Sequence, residues 1–192
     1  MKLKISSIFL LVAVVSLSAF TTIKPVTYTV DAAKSTITWV GKKVTGQHTG
    51  TVGIKDGVLS FKGGKVTGGN FTVDMNSIAV TDLKAGEGKE KLEGHLKAED
   101  FFGTDKFATS KLVFKTVKTK SANVYTVTAD LTIKGITKPV TFDLNTTKNT
   151  ATTKFNIDRT KYDIKYGSKS FFEGIGDKAI YDEFEVTVNL QF

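Results

Sequence analysis

The side chains best able to do chemistry in this chain are few. His48 and His95 are the only histidines, and the 192-residue sequence contains no cysteine. The lack of cysteine excludes disulfides, thiolate metal ligands and cysteine nucleophiles. A zinc or iron site would need several imidazole or carboxylate ligands at suitable spacing. We therefore predict no metal site, and a structural or surface role for each histidine.

The motifs that would indicate phosphate binding or catalysis are incomplete or missing. Residues 41–46 have the glycine spacing of a phosphate-binding loop, but Gln47 and His48 stand where that loop requires Lys followed by Ser or Thr. Neither a Gly-x-Ser-x-Gly nor a His-Glu-x-x-His segment occurs. The sequence therefore predicts no catalytic residue.

Arg159 is the only arginine among 27 basic side chains. One interpretation is structural: its planar guanidinium ties down the end of a strand through a carboxylate such as Asp158 or Asp163. The other is functional: the guanidinium contacts an anion or the polar head group of a ligand at the mouth of a cavity. The sequence leaves both interpretations open.

The formal net charge of +8 comes mainly from lysines that occur singly, and Lys42 and Lys43 are the densest pair. A nucleic-acid-binding surface would cluster its basic side chains and would favour arginine. The scattered lysines are instead typical of the solvated face of β-strands. We therefore predict no nucleic-acid partner.

The N-terminal residues have the pattern of a cleaved export signal. Lys2 and Lys4 precede an uninterrupted apolar run, residues 8–15, and small residues follow it up to Ala19. A membrane span needs about 20 apolar residues to cross roughly 30 Å, so this run is too short for a stable span. We predict a signal peptide over residues 1–19 and a periplasmic or secreted protein.

Most of the remaining chain shows the period-two alternation of apolar side chains that is typical of β-strands. Every second residue is apolar from Tyr125 to Ile133, and the pattern returns from Phe184 to the end of the chain. An Asp56-Gly57 pair between two apolar runs predicts a two-residue hairpin there. Roughly eight to ten strands predict an all-β antiparallel barrel or sandwich, which forms a single domain over residues 20–192.

The alternation breaks between Thr81 and Phe107. Leu92 and Leu96 lie four positions apart among charged residues, which is the spacing of an amphipathic helix. We predict one short helix, about residues 88–98, lying over one end of the barrel. Gly94 weakens this helix.

Several motifs, in a fixed order, resemble those of the YceI-like family and of its flavobacterial-type branch. They are YTVD (28–31), STITWVG (35–41), HLKAEDFFGTDKF (95–107), LTIKGITKPV (131–140) and GDKAIYDEF (176–184). One departure is Ala108, which stands where the family usually has proline. The resemblance implies a lipocalin-like β-barrel of about eight strands that binds a long apolar chain such as an isoprenoid, a quinone or a fatty-acid derivative. It implies neither catalytic residues nor a cofactor other than such a bound polyisoprenoid or lipid.

A barrel that holds an apolar chain needs an apolar interior and a mouth that tolerates a polar head. Alternation places the first set of candidates on the inward face, and the two irregular segments place the second set at the mouth. The predicted ligand-binding residues are Ile37, Trp39, Phe71, Met75 and Phe114 inside, and Phe101, Phe102, Phe171 and Phe172 at the entrance. Arg159 and His48 are predicted contacts for a head group.

These observations favour an exported carrier of a long-chain lipid or isoprenoid. Two alternatives stay open at this point. One is an enzyme or isomerase that acts on the bound lipid, with His48 and Arg159 as its candidate residues. The other is a stress-related scaffold whose barrel is filled by its own side chains. A homodimer is compatible with each of these hypotheses.

Overall fold

A computed structural model of the protein describes residues 23–192. The predicted signal peptide, residues 1–19, lies outside these residues. Their regular elements are nine strands and one α-helix: β1 Val26–Thr29, β2 Thr36–Lys43, β3 Gly46–Lys62, β4 Lys65–Val80, α1 Lys89–Lys97, β5 Thr109–Ser121, β6 Val124–Ile133, β7 Ile136–Thr146, β8 Thr150–Asp158 and β9 Ile180–Gln191.

Strands β2 to β9 form a closed antiparallel barrel in which each strand pairs with the next along the chain, and β9 pairs with β2. The prediction of a barrel of about eight strands is confirmed. The short strand β1 is not one of these eight barrel strands. It pairs with the second half of β3, beyond the part of β3 that pairs with β2. The long strand β3 therefore extends beyond the end of β2.

Period-two alternation accounts for the inward face of the barrel. In β6 the side chains of Tyr125, Val127, Ala129, Leu131 and Ile133 are buried, and the residues between them are half-exposed. Because a strand points successive side chains to opposite faces, this pattern fixes which face of the sheet meets the core.

The predicted helix is present as α1, within one residue of the predicted range at each end. Leu96 is its buried residue. The Glu93 carboxylate accepts the backbone N–H of Val80 at 2.8 Å, so α1 is held to the end of β4. The helix lies over one end of the barrel, as the sequence predicts.

The predicted hairpin at Asp56-Gly57 is wrong, because β3 runs through these residues without a turn. The pairing of β3 with β4 shifts register beside Asp56. A Cβ on Gly57 would lie 2.6 Å from the Phe71 ring, so the missing side chain makes room for that ring. The turn actually follows at Gly63 and Gly64, which both have positive φ.

The side chains inside the barrel form two clusters along its axis. The filled half includes Leu59, Val127 and Ala151, which are all completely buried. The cavity half lies beneath α1 and includes Leu96 and Tyr162.

Strand pairing is less complete in the cavity half. Strands β7 and β8 pair over three residues only, Leu144 to Thr146 with Ala151 to Thr153. Beyond this point, the 3₁₀ turn Arg159–Tyr162 packs against β7 and β9. Contacts made by this turn therefore replace part of the strand pairing that closes the barrel elsewhere.

Among residues 23–192, no helix combines the length and the apolar character that crossing a bilayer requires.

Candidate functional site

An apolar cavity of about 190 Å³ lies inside the barrel beneath α1. All eight barrel strands contribute to its wall, together with Leu96 of α1 and the two phenylalanines that follow the helix. Nearly all of the wall is hydrocarbon. Its polar side chains are Ser110, Thr153, Arg159 and Tyr181.

Seven of the nine residues predicted to bind ligand meet at this cavity. They are Ile37, Trp39, Phe71, Met75, Phe101, Phe102 and Phe114. The alternation therefore identified the inward face correctly in strands β2, β4 and β5. The other two predicted residues, Phe171 and Phe172, do not line the cavity. Each is 49% exposed in the loop before β9.

Trp39 is a fixed part of the wall. Its indole N–H donates to the backbone carbonyl of Thr51 at 3.2 Å. The ring lies over Gly50, where a Cβ would come within 2.3 Å of it. The ring thus occupies the space that a side chain at position 50 would need, so its orientation is restrained from two sides.

Four aromatic rings of the cavity wall, which we call the phenylalanine floor, belong to the filled half or pack against it. They are Phe71, Phe114, Phe142 and Phe155. Their ring centroids lie 5.6, 6.0 and 4.7 Å apart in that order. Sequence reasoning placed Phe142 and Phe155 on strands but did not assign them to the site. Extending the same alternation to β7 and β8 would have found them.

Phe101 and Phe102 cover the other end of the cavity, directly after α1. Their rings pack edge to face at 5.2 Å. The His95 ring lies 5.4 Å from Phe101 and 4.4 Å from Tyr166, so it joins the helix to the loop before β9. His95 is therefore part of the aromatic cover over the mouth.

Arg159 is 2% exposed and lies at the cavity wall, where its guanidinium carbon is 5.8 Å from the centre of the Phe101 ring. Its N–H groups donate to the backbone carbonyls of Ile164, Ile180 and Tyr181 at 2.8 to 3.1 Å. The Arg159 guanidinium therefore makes structural contacts, as one interpretation of the sequence predicted. Its partners are mainly backbone carbonyls rather than the carboxylates of Asp158 or Asp163.

The carboxylate nearest to Arg159 is that of Asp182, at 3.7 Å. Burial lowers the pKa of Arg159, and the charges of Asp182 and Asp158 oppose that shift. Burial raises the pKa of Asp182, but hydrogen bonds from Ser168 and Ser170 and the Arg159 charge outweigh burial and leave that pKa below its ordinary value. The mouth thus contains a buried guanidinium beside a half-buried carboxylate, and hydrogen bonds hold both groups.

His48 does not line the cavity. Its Nδ1 lies 2.9 Å from the Asp82 carboxylate, which also accepts the backbone N–H of Thr49 at 3.0 Å. These contacts tie the start of β3 to the segment after β4. His48 and Arg159 are therefore not brought together in one site.

Ser110 is a polar residue of the wall that sequence reasoning missed. It is 6% exposed, and its hydroxyl has no hydrogen-bond partner within the described part of the chain. Residues 23–192 contain no group of three or more histidine, aspartate or glutamate side chains that could hold a metal ion.

The fold and the site define a class: a closed antiparallel barrel with an internal apolar cavity under a helical cover. The model of one family, the YceI-like domain, matches residues 28–192. The chain therefore belongs to the YceI-like family, as its motifs indicated.

Solved structures show the same fold at low sequence identity. BcnA of Burkholderia cenocepacia superposes with a TM-score of 0.65 and 21% identity, covering 84% of this chain and 98% of that one. A polyisoprenoid binding domain from Saccharophagus degradans, implicated in plant cell wall breakdown, superposes with a TM-score of 0.56 and 14% identity, covering 88% and 97%.

Curated relatives match over shorter stretches. A UPF0312 protein of Shewanella denitrificans is 36% identical over 91 residues, which cover 47% of this chain and 45% of the relative. A UPF0312 protein of Staphylococcus aureus is 51% identical over 55 residues, 29% of each chain. The matched part is thus less than half the length of these relatives.

Proposed function

We propose that the protein is an exported carrier that holds the apolar chain of a lipid or isoprenoid inside its barrel. The observation that carries this proposal is the cavity of about 190 Å³ with an almost entirely hydrocarbon wall. Such a wall stabilises an apolar chain and offers no charged group deep inside for acid–base chemistry. The similarity to the polyisoprenoid binding domain of Saccharophagus degradans supports the same ligand class.

The volume of the cavity limits how much of a chain fits without rearrangement. An engineered cavity of about 150 Å³ holds benzene, so roughly seven or eight carbons fit here. At about 0.8 kcal/mol per buried methylene group, that stretch contributes about 6 kcal/mol. A longer chain needs more volume, and rotation of phenylalanine-floor side chains such as Phe114 would supply it.

The orientation of the chain follows from the two ends of the cavity. The phenylalanine floor lies towards the filled half, and Arg159 lies beside the exposed Tyr181, whose carbonyl it binds. We infer that the tail points to the floor while a polar head stays near Arg159. Export of this carrier to the periplasm or the medium is supported by the signal-like pattern of residues 1–19.

Trp39, the single tryptophan, provides the test because it lies in the wall. Titration with farnesol, geranylgeraniol or palmitate is expected to change its fluorescence saturably, near one ligand per chain. Phe114→Asp places a charge in the wall and is expected to weaken binding at least about tenfold. Val113→Asp is the matched control, because Val113 is the adjacent residue of β5 and is exposed. His48→Gln is expected to bind like the original chain.

Circular dichroism distinguishes a lost site from a lost fold. If Phe114→Asp does not fold, Met75→Gln introduces a polar group of similar size at another wall position. No response of Trp39 to any of the three ligands, together with no lipid found by native mass spectrometry, would contradict the carrier. Those results would favour a barrel that serves as a scaffold.

A further inference from the structure

Five large apolar side chains are exposed together beside the mouth of the cavity. We call them the mouth patch: Val44, Tyr166, Phe171, Phe172 and Tyr181. Their exposed fractions run from 41% to 55%. An exposed cluster of large apolar residues is typical of an interaction surface, because the exposed apolar residues of soluble proteins are usually scattered singly.

Backbone hydrogen bonds hold the parts of the mouth patch side by side. The N–H of Val44 donates to the carbonyl of Ala179 at 3.1 Å, which brings the β2–β3 hairpin to the start of β9. The N–H of Ile180 donates to the carbonyl of Gly167 at 2.8 Å. The loop that carries Phe171 is therefore held next to the start of β9, where Tyr181 lies.

Lysines surround this patch. Lys42 and Lys43 precede Val44, and the loop adds Lys165, Lys169 and Lys178. The Lys165 ammonium lies over the Phe171 ring, 5.2 Å from its centre. The acidic side chains nearby are Glu173, Asp177, Asp163 and Asp182; Asp163 pairs with Lys165 at 2.7 Å, and Asp182 lies 3.7 Å from Arg159. Five lysines and Arg159 against these four carboxylates leave the surface net positive.

The patch adjoins the opening through which a ligand would pass. Tyr181 and its neighbour Ile180 belong to the cavity wall, and Tyr166 packs on His95 of α1. Aromatic side chains prefer the level of the lipid head groups in a bilayer, and lysines near an anionic bilayer gain electrostatic attraction. Exposed aromatic residues and lysines at the mouth of a carrier are therefore more favourably placed at a bilayer surface than in water.

We propose that the mouth patch docks the protein on the surface of an anionic lipid bilayer, with the cavity opening facing the lipids. This inference rests on the proposed carrier function, since docking would let an apolar chain pass from bilayer to barrel without crossing water. The docking is peripheral: the aromatic rings reach the head-group level and the lysines meet anionic head groups.

Co-sedimentation with vesicles tests this docking. The mature chain is expected to bind vesicles of phosphatidylcholine containing phosphatidylglycerol, and to bind vesicles of phosphatidylcholine alone much more weakly. The double variant Phe171→Ser/Phe172→Ser is expected to lose at least about tenfold in vesicle affinity. The variant Lys42→Gln/Lys43→Gln is expected to lose affinity at low salt and little at high salt.

A matched control uses two exposed apolar residues at the opposite end of the barrel. Ile23 and Val26 are 59% and 51% exposed, and Val26 belongs to β1 in the filled half. Ile23→Ser/Val26→Ser is expected to bind vesicles like the unchanged chain. Equal losses in the two double variants would overturn the proposal, because they would indicate non-specific hydrophobic adsorption.

The Trp39 titration with farnesol separates this proposal from the carrier function. If the unchanged chain binds farnesol but neither kind of vesicle, docking is wrong and the carrier function stands; a protein partner would then be the candidate for the patch. If it binds anionic vesicles through the mouth patch but no ligand, docking stands and the carrier function fails. Intact farnesol binding by Phe171→Ser/Phe172→Ser, with vesicle binding lost, supports both.

Discussion

One continuous sheet forms both halves of the barrel, but different interactions stabilise the filled half and the cavity half. In the filled half, Leu59, Val127 and Ala151 are completely buried, and side chains occupy the interior. In the cavity half, β7 and β8 pair over three residues only, and Arg159 satisfies three backbone carbonyls beside the apolar cavity. Close packing stabilises the first half, whereas a buried polar centre maintains the second around its cavity.

This difference shows how a barrel can carry a cavity without losing its shape. Interiors are normally close-packed, and a void costs the contacts that its lining lacks. The cavity half offsets that cost with a hydrogen-bond network at its mouth and with aromatic rings at its floor. We therefore expect substitutions in the mouth network to lower the free energy of unfolding most. In the filled half, we expect the free energy of unfolding to fall when side-chain packing is changed.

The largest effect is expected at Arg159. Replacing it by Met leaves the carbonyls of Ile164, Ile180 and Tyr181 without their donor and leaves Asp182 without its cation. We expect a loss of about 3–5 kcal/mol in the free energy of unfolding, measured by urea denaturation. Arg159→Lys should recover part of it through the charge alone. A loss below about 1 kcal/mol for Met would show that the network is dispensable.

A matched pair of leucines compares packing in the two halves. Leu59 is completely buried in the filled half, while Leu131 faces the cavity. We expect Leu59→Ala to cost about 4 kcal/mol and Leu131→Ala about 2 kcal/mol, because Leu131 has fewer packed neighbours to lose. Thermal and urea unfolding of both variants would measure the difference. Equal costs would mean that the cavity wall is packed as tightly as the filled core.

Alkaline pH should act on the cavity half through Tyr162. Burial, with a smaller contribution from the Asp158 charge, raises the pKa of the Tyr162 hydroxyl to about 12. Since the folded-state pKa lies above the ordinary value near 10, the stability from neutral Tyr162 is complete below pH 10 and is lost as the pH rises to 12. The loss amounts to at most about 3 kcal/mol.

Urea unfolding between pH 9 and 12 would measure this loss, and Tyr162→Phe is the control. The variant should show a shallower fall in stability over that range, because its ring has no proton to release. Parallel curves for the two proteins would assign the alkaline loss to other groups.

The strands, the inward face and the helix follow from local patterns in the sequence. Period-two alternation in β2, β4 and β5 identified Ile37, Trp39, Phe71, Met75 and Phe114 as inward residues, and all five line the cavity. The change of period after Thr81 identified α1. These predictions succeeded because the direction of a side chain is set by backbone geometry within a few residues.

Contacts between distant segments could be seen in the tertiary structure alone. Gly57 lies inside a strand because the Phe71 ring fills the space beside it, although Asp-Gly is a common hairpin signal. Phe171 and Phe172 lie on the surface because the loop that carries them is tied to β9 rather than folded over the mouth.

The sequence by itself therefore determined the class of fold, the inward face of its strands and the apolar character of the interior. The tertiary structure decided how large the cavity is, that the Arg159 guanidinium takes carbonyls as its main partners, and that Phe142 and Phe155 complete the floor. The physical reason is range. Alternation and helix spacing act within one segment, whereas ring packing, cavity volume and carbonyl acceptors depend on segments brought together when the barrel closes.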